Sequence, residues 1–233
     1  MNAVQTEALY KAAIELAHLQ GAERILDAYC GTGTIGLVAA RALQEKTPAA
    51  AKDGALVVGV DKVESAIVDA RNNAKHNGIE NASFIAEDAG VFMNEMAGRD
   101  EVLDVLFMDP PRSGASLEFL QATAHLHPRR IVYISCNPKT QARDVAYLRE
   151  RGYRLEAIQP VDMFPPHYPH RKHLRFSCSR LTKFVCRLAP SERCLSAPVE
   201  RVRHEVPCFP VRESAHADSL MRRCFARVLL KRI

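Results

Sequence analysis

Asp27-Ala-Tyr29-Cys30-Gly31-Thr-Gly33-Thr34-Ile-Gly36 decides how the rest of the chain is read. It joins the apolar run Arg24 to Ala28, a first strand, to a helical pattern from about Thr34 to Gln44. In that strand-to-helix setting a G-x-G-x-x-G spacing carries meaning. Glycines let the backbone approach a ligand at the positive end of a helix, where anionic and polar groups are favoured. Asp61 closes the next strand-like run, Ala55 to Val60, and is placed to accept hydrogen bonds from a ribose. A nucleoside cofactor follows, either a dinucleotide or S-adenosylmethionine.

Two acidic positions favour S-adenosylmethionine. Asp27 ends the first strand, where it could face a sulfonium or an α-amino group. Glu87-Asp88, just past a short strand at Ala82 to Ala86, offers a carboxylate to an adenine amino group. Single strand-end acids are ordinary solvated polarity, but their recurrence at successive strand ends is not.

Outward from the motif, strand and helix patterns alternate through the first 160 or so residues, as a parallel sheet with crossover helices requires. Helices are expected over Thr6 to Leu19, Val63 to Asn77, Leu117 to Leu126 and Lys139 to Arg151. Further strands are expected over Val102 to Met108, Arg130 to Ser135 and, last, Tyr153 to Val161. Lys46 to Asp53 reads as a loop and Phe92 to Arg99 as a variable segment. The predicted fold is a doubly wound, Rossmann-like α/β domain, with one crevice along the carboxyl ends of its strands.

Two of those strand ends carry chemistry. The run ending at Met108 leaves through Asp109-Pro110-Pro111-Arg112, where two prolines fix φ and remove donors, giving a stiff extended turn that holds Asp109 at the crevice. Arg112 suits a phosphate or a base carbonyl. The run Ile131 to Ser135 ends on Cys136-Asn137-Pro138. Isolated cysteines are usually buried and inert; one at the carboxyl end of a parallel strand, cut off at once by Asn-Pro, opens toward the ligand edge.

Composition narrows the partners. Hydrophobic residues make up 47% and charged residues 25%, which places the chain among ordinary globular proteins. No run approaches the roughly 18 apolar residues of a membrane span, and the start lacks a basic segment leading into an apolar core, so a cytoplasmic location without membrane contact is expected. The net charge of +5 is unevenly spread: residues 171–233 hold 15 Lys/Arg against 5 Asp/Glu, a balance of +10, leaving −5 for residues 1–170. The basic excess therefore says nothing about nucleic-acid binding by the first part. None of the seven cysteines is spaced C-x-x-C, so no metal is expected.

Asp27-x-Tyr-Cys-Gly-x-Gly-Thr, Val-Val-Gly-Val-Asp61, Asp109-Pro-Pro-Arg-Ser-Gly, Ile-Ser-Cys136-Asn-Pro and Val161-Asp-Met-Phe-Pro165 occur in an order and spacing that resembles the RNA uracil-C5 methyltransferases. Among these the chain is most similar to bacterial enzymes acting on 23S ribosomal RNA, from Asn2 to about Pro166. The resemblance implies S-adenosylmethionine as cofactor, ribosomal RNA as partner and Cys136 as the nucleophile that adds to uracil C6. It implies that Tyr29, Thr34, Asp61 and Asp109 contact cofactor or site, beside Asp27, Gly31, Gly33 and Asp88, already expected from the residues to bind the cofactor. Pro110, Arg112 and Asn137 are expected against the substrate base, which must be extruded from its RNA structure. An N-methyltransferase holding an amine at Asp109-Pro-Pro would leave Cys136 without work; a non-catalytic cofactor- or RNA-binding module is the other alternative.

The chain departs from the family pattern at both ends. The family's base, a Glu shortly after a Phe-Pro-His-Thr-like segment, has no counterpart: Phe164-Pro165-Pro166-His-Tyr-Pro169-His-Arg-Lys-His runs on with no acidic residue before Glu192. Codons such as CAT-CGA-AAA for His170-Arg171-Lys172 read one nucleotide later as Ile-Glu, the pattern of a reading-frame change near Pro165 or Pro166. The expected division is a catalytic domain over residues 1–166 and an irregular basic tail, frame-shifted or disordered, over 167–233. The family's cofactor-binding Gln falls upstream of Asn2, and its small RNA-binding barrel and inserted subdomain have no counterpart.

Overall fold

The computed structural model describes residues 3–47, 56–163 and 182–190. Their helices are α1 (Ala3–Ala17), α2 (Thr34–Lys46), α3 (Glu64–His76), α4 (Ala89–Gly98), α5 (Leu117–Leu126) and α6 (Pro138–Arg149). The strands are β1 (Ile25–Ala28), β2 (Val57–Asp61), β3 (Ala82–Ala86), β4 (Val105–Met108), β5 (Arg130–Ser135), β6 (Tyr153–Asp162) and β7 (Thr182–Pro190). They form a seven-stranded sheet in the order β3-β2-β1-β4-β5-β7-β6. β1 to β5 pair in parallel, and β7 runs antiparallel to both its neighbours. This is the doubly wound, Rossmann-like α/β fold that the sequence predicts.

Because helices cover both faces, the central strands need no alternation of apolar and polar residues. All four positions of β1 and of β4 are buried. Two cores result. One packs Leu9, Ala13, Leu37, Leu43 and Ile67 from α1, α2 and α3 on one face; the other packs Met93, Met96, Phe119 and Leu148 from α4, α5 and α6 on the opposite face.

The structure corrects three of the expected elements. The variable segment at Phe92 to Arg99 is the greater part of helix α4 with Arg99 as its C-cap; the helix start is capped by Asp88, and Ala89, Met93 and Met96 fill the second core; small and glycine residues at its ends hide the helical period. The strand expected from Val102 starts only at Val105. Val102 is exposed, and the Asp104 side chain instead accepts the Arg24 amide at 3.0 Å, so the ladder begins level with β1. Finally, Thr182–Pro190, within the stretch read as an irregular tail, is the strand β7 between β5 and β6. Its Val185, Cys186 and Leu188 are fully buried, a pattern with no strand period because both of its faces are covered. β6 is thereby the edge strand, and there it tolerates Pro160. The remainder of the tail and the reading-frame question lie outside the described residues.

Candidate active site

Strand order reverses between β1 and β4, the point at which the crevice of an open α/β sheet forms. The glycine loop lies there. Tyr29, Gly31 and Gly33 take left-handed φ values of 61°, 54° and 77°. For Tyr29 this is a conformation side-chain-bearing residues rarely adopt. Gly33 has no alternative, since a Cβ would stand 2.6 Å from the Phe84 ring. A Cβ on Gly31 would meet nothing within 4 Å among the described residues, so that backbone faces open space. Gly33 caps α2 without a side-chain hydrogen bond, so the first-turn amides need partners from outside the helix, and that of Gly36 has one in Asp27. Asp61 steadies the loop: its Oδ2 accepts the Gly31 amide at 2.9 Å and its Oδ1 the Val63 amide at 2.9 Å.

Asp27 lies deeper than a rim position. It is 1% exposed, between Gly59 and Phe107 in the ladder. Its Oδ2 accepts the Gly36 amide at 2.8 Å, while Oδ1 is buried with no hydrogen-bond partner among the described residues. Burial pushes the carboxyl up to about 7, opposed by the Gly36 amide and reinforced by Asp109 and Asp61. Burial also raises Asp109, while Lys183 of β7, 2.6 Å from its Oδ2, pulls it back. Tyr10 of α1 reaches the same place. Burial, Asp109 and Asp27 push its hydroxyl up to about 12, against a hydrogen bond with the Thr34 side chain. Asp27, Thr34, Asp61 and Asp109 thus converge, and Tyr10 and Lys183 join them. Neither was legible in sequence: Tyr10 reads as one more helical residue, and Lys183 as part of a basic tail.

Tyr29 and Asp88 serve the other face. The Tyr29 ring packs on Phe119 with centroids 5.3 Å apart. The Asp88 side chain is exposed, and its Oδ1 caps α4 by accepting the amides of Gly90 at 2.8 Å and Val91 at 3.4 Å.

Cys136 is half-buried at the end of β5, beside the loop that leaves β4. Asn137 ties these two together. Its Nδ2 donates to the Arg112 carbonyl at 2.8 Å, and its Oδ1 caps α6 on the Lys139 amide at 3.2 Å. The Thr140 hydroxyl donates to the same carbonyl at 3.3 Å. Of the residues expected against the substrate, Pro110 is buried, the Arg112 side chain is exposed, and the Asn137 side chain holds the loop. A second strap comes from α6. Asp144, fully buried, accepts the Ala115 amide at 2.9 Å and the Tyr133 hydroxyl at 2.8 Å, and pairs with Arg143, whose Nη2 reaches the Ser113 carbonyl at 3.1 Å. Gly114, at φ 85°, passes so close that a Cβ would meet the Arg143 guanidinium. This Arg-Asp pair lies in a helix with no motif to mark it.

A left-handed glycine loop over a helix N-terminus, with Asp61 ending β2 beside it at the switch point of the sheet, marks a Rossmann-like nucleoside-binding domain, here with an antiparallel β7 inserted between β5 and β6. The methyltransferase domain family matches residues 19–148, and the chain belongs to that family. The chain is 42% identical over 168 residues to an uncharacterised RNA methyltransferase of Caldanaerobacter subterraneus, covering 72% of this chain and 35% of that protein. It is 44% identical over 165 residues to another from Enterococcus faecalis, covering 71% and 34%. The chain thus spans about a third of the length of the curated relatives it matches. Among solved structures, Pyrococcus abyssi tRNA (uracil-54, C5)-methyltransferase in complex with S-adenosyl-L-homocysteine is similar at 31% identity and a TM-score of 0.55, over 78% of this chain and 37% of that one. TrmN from Thermus thermophilus shares the fold, with 21% identity, a TM-score of 0.55 and coverage of 79% and 48%. No described helix is long and apolar enough to cross a membrane.

Proposed function

We propose that this chain is the catalytic domain of an S-adenosylmethionine-dependent RNA methyltransferase acting on C5 of a uridine, with ribosomal RNA as the substrate class. The crevice residues suit that donor: an orphaned carboxylate oxygen on Asp27 for a cation, Gly31 backbone open to the crevice, and Asp61 beside it for ribose hydroxyls. The donor supplies an electrophilic sulfonium methyl. The chain supplies the nucleophile, Cys136.

Uracil C5 is a poor nucleophile. The Cys136 thiolate adds to C6, which turns C5 into an enolate-type carbon able to take the methyl group. A base then removes the C5 proton, the double bond re-forms and the thiolate leaves. The single observation that carries this reading is the joining of Cys136 to the Asp109-Pro-Pro-Arg112 loop through the bond from Asn137 Nδ2 to the Arg112 carbonyl at 2.8 Å. An amine-methylating site would use the loop and have no need of a thiol fixed to it. The names of the relatives support an RNA substrate, and that of the Pyrococcus enzyme supports uracil C5. The position of the family's base falls outside the described residues.

The test is incubation of the chain with S-adenosylmethionine and RNA containing 5-fluorouracil, where the fluorine blocks loss from C5 and traps the adduct. A denaturation-resistant protein–RNA species, absent in Cys136→Ala, is expected. Methylation without any trapped species would refute the thiol mechanism, and methyl transfer to an exocyclic amine would favour the N-methylating reading.

A further inference from the structure

The ion pair between Lys183 and Asp109 crosses the place where Cys136 sits. β5 lies between β4 and β7 in the sheet. Asp109 follows the last residue of β4, and Cys136 the last residue of β5. β7 runs antiparallel to β5 with Ser135 opposite Phe184, so the next rung of that ladder sets Lys183 level with Cys136. Two strand spacings, about 10 Å, separate β4 from β7. The lysine side chain spans most of that gap, because its Nζ stands 2.6 Å from Asp109 Oδ2, and the ammonium therefore lies across the end of β5. Each of the two side chains is 25% exposed, so a ligand in the crevice can reach them. A partly exposed ion pair contributes little to stability. As a donor it offers more: an ammonium has three N–H groups and accepts nothing. Asp109 is its bonded acceptor among the described residues, which leaves donors for a substrate.

Addition of the Cys136 thiolate to uracil C6 pushes the C5–C6 π pair toward the C4 carbonyl, so negative charge develops on O4. We infer that Lys183 is a catalytic residue that meets this charge: its ammonium, held in place by Asp109, donates a hydrogen bond to the enolate oxygen of the C6 adduct. This rests on the uracil-C5 reading argued above. The electrons balance. The sulfur pair forms the S–C6 bond, the π pair is held as the O4 enolate, and no proton leaves Lys183. When C5 takes the methyl group, the enolate pair forms the new C–C bond and the carbonyl returns. Loss of the C5 proton to a base then makes the same enolate a second time, and it collapses as the C6–S bond breaks. A donor already fixed at such an oxygen needs no reorganisation when the charge appears, which is the source of its effect. As an ammonium paired with a carboxylate, Lys183 serves as the donor and not as the base.

The deciding experiment compares the full chain with its Lys183→Gln and Lys183→Arg variants, using S-adenosylmethionine and a 23S ribosomal RNA transcript made with 5-fluorouridine. Three quantities are read: the rate of adduct trapping at saturating RNA, RNA affinity in a Cys136→Ala background, and product release with ordinary uracil RNA. Lys183→Gln should trap about 10²–10³-fold more slowly, the usual loss for one fixed oxyanion donor, with RNA affinity unchanged. Lys183→Arg should recover part of the rate. If Lys183→Gln fails to fold, the wild-type chain is given a transcript made with 5-fluoro-4-thiouridine, whose sulfur accepts hydrogen bonds weakly. Its trapping, scaled by the reactivity of each base toward a free thiol, should slow by about tenfold or more. An unchanged trapping rate in Lys183→Gln, or equal scaled rates for the two bases, would reduce the pair to a clip between strands. Lower affinity with an unchanged saturating rate would make Lys183 a phosphate contact, and normal trapping with stalled release would make it the base; either overturns the proposal. A wild-type chain that traps nothing would instead overturn the uracil reading, and the proposal with it.

Discussion

Asp144→Ala is expected to cut the strap that holds the loop after β4. The carboxylate is fully buried, and its Oδ2 accepts the Ala115 amide at 2.9 Å and the Tyr133 hydroxyl at 2.8 Å. Alanine leaves both donors buried and unpaired, at about 1–3 kcal/mol each. The ion pair with Arg143 adds less. The arginine side chain is 57% exposed, and solvent screening limits such a pair to about 1 kcal/mol or under. The expected loss is therefore about 2–7 kcal/mol, read by urea denaturation. Tyr133→Phe removes one hydrogen bond and leaves the carboxylate its other partners, so it should cost about 1 kcal/mol. In the double variant the orphaned hydroxyl no longer exists, so the combined loss should fall short of the sum. A loss below about 1 kcal/mol for Asp144→Ala, or strict additivity, would refute the reasoning. Adduct yield with 5-fluorouracil RNA should fall alongside, since the same loop carries Asp109 and Arg112 toward Cys136.

Asp61→Ala should weaken S-adenosylmethionine binding by about 1–3 kcal/mol, because it removes the acceptor for ribose hydroxyls and frees the Gly31 amide; unchanged affinity in calorimetry would reduce Asp61 to a loop fastener. Gly33→Ala should cost about 2–4 kcal/mol of stability, combining a left-handed φ of 77° with a Cβ 2.6 Å from the buried Phe84 ring, and a thermal midpoint equal to wild type would contradict this. Asp27 bears on the pH dependence of stability. Its carboxyl is raised from 3.8 to about 7 in the folded chain, so between those values the native state binds the proton that the unfolded state has lost, and stability falls as the pH rises. On the order of 3 kcal/mol should be lost from this group between pH 5 and pH 8, and urea titrations of Asp27→Asn should show a shallower decline; an identical decline would remove Asp27 as its source.

The sequence by itself determined the parallel part of the sheet and the edge at which Asp61, Asp109 and Cys136 end their strands. That information is local. Apolar runs such as Ile131 to Ile134 reveal buried strands, and residues that end parallel strands share one edge whatever their distance in the chain, which is how Asp61, Asp109 and Cys136 could be placed together. Gly31 and Gly33 likewise marked where the backbone turns from strand into helix, and the structure gives both a left-handed φ, which glycine adopts without cost.

Only the tertiary structure decided what each of those side chains faces. Asp27 was legible as a strand-end acid, but its depth, its orphaned oxygen and its raised pKa depend on Gly36, Asp109 and Asp61, which come from separate elements. Asn137 was legible as a strand stop beside Cys136, yet its amide reaches across to the Arg112 carbonyl. Tyr10, Lys183 and the Arg143–Asp144 pair carry no local signal, since their partners lie on other elements. β7 is the clearest case. Val185, Cys186 and Leu188 show no strand period, and Thr182–Pro190 becomes a strand because β5 and β6 offer it ladders on both sides; backbone hydrogen bonding between distant segments is a property that no window of sequence contains.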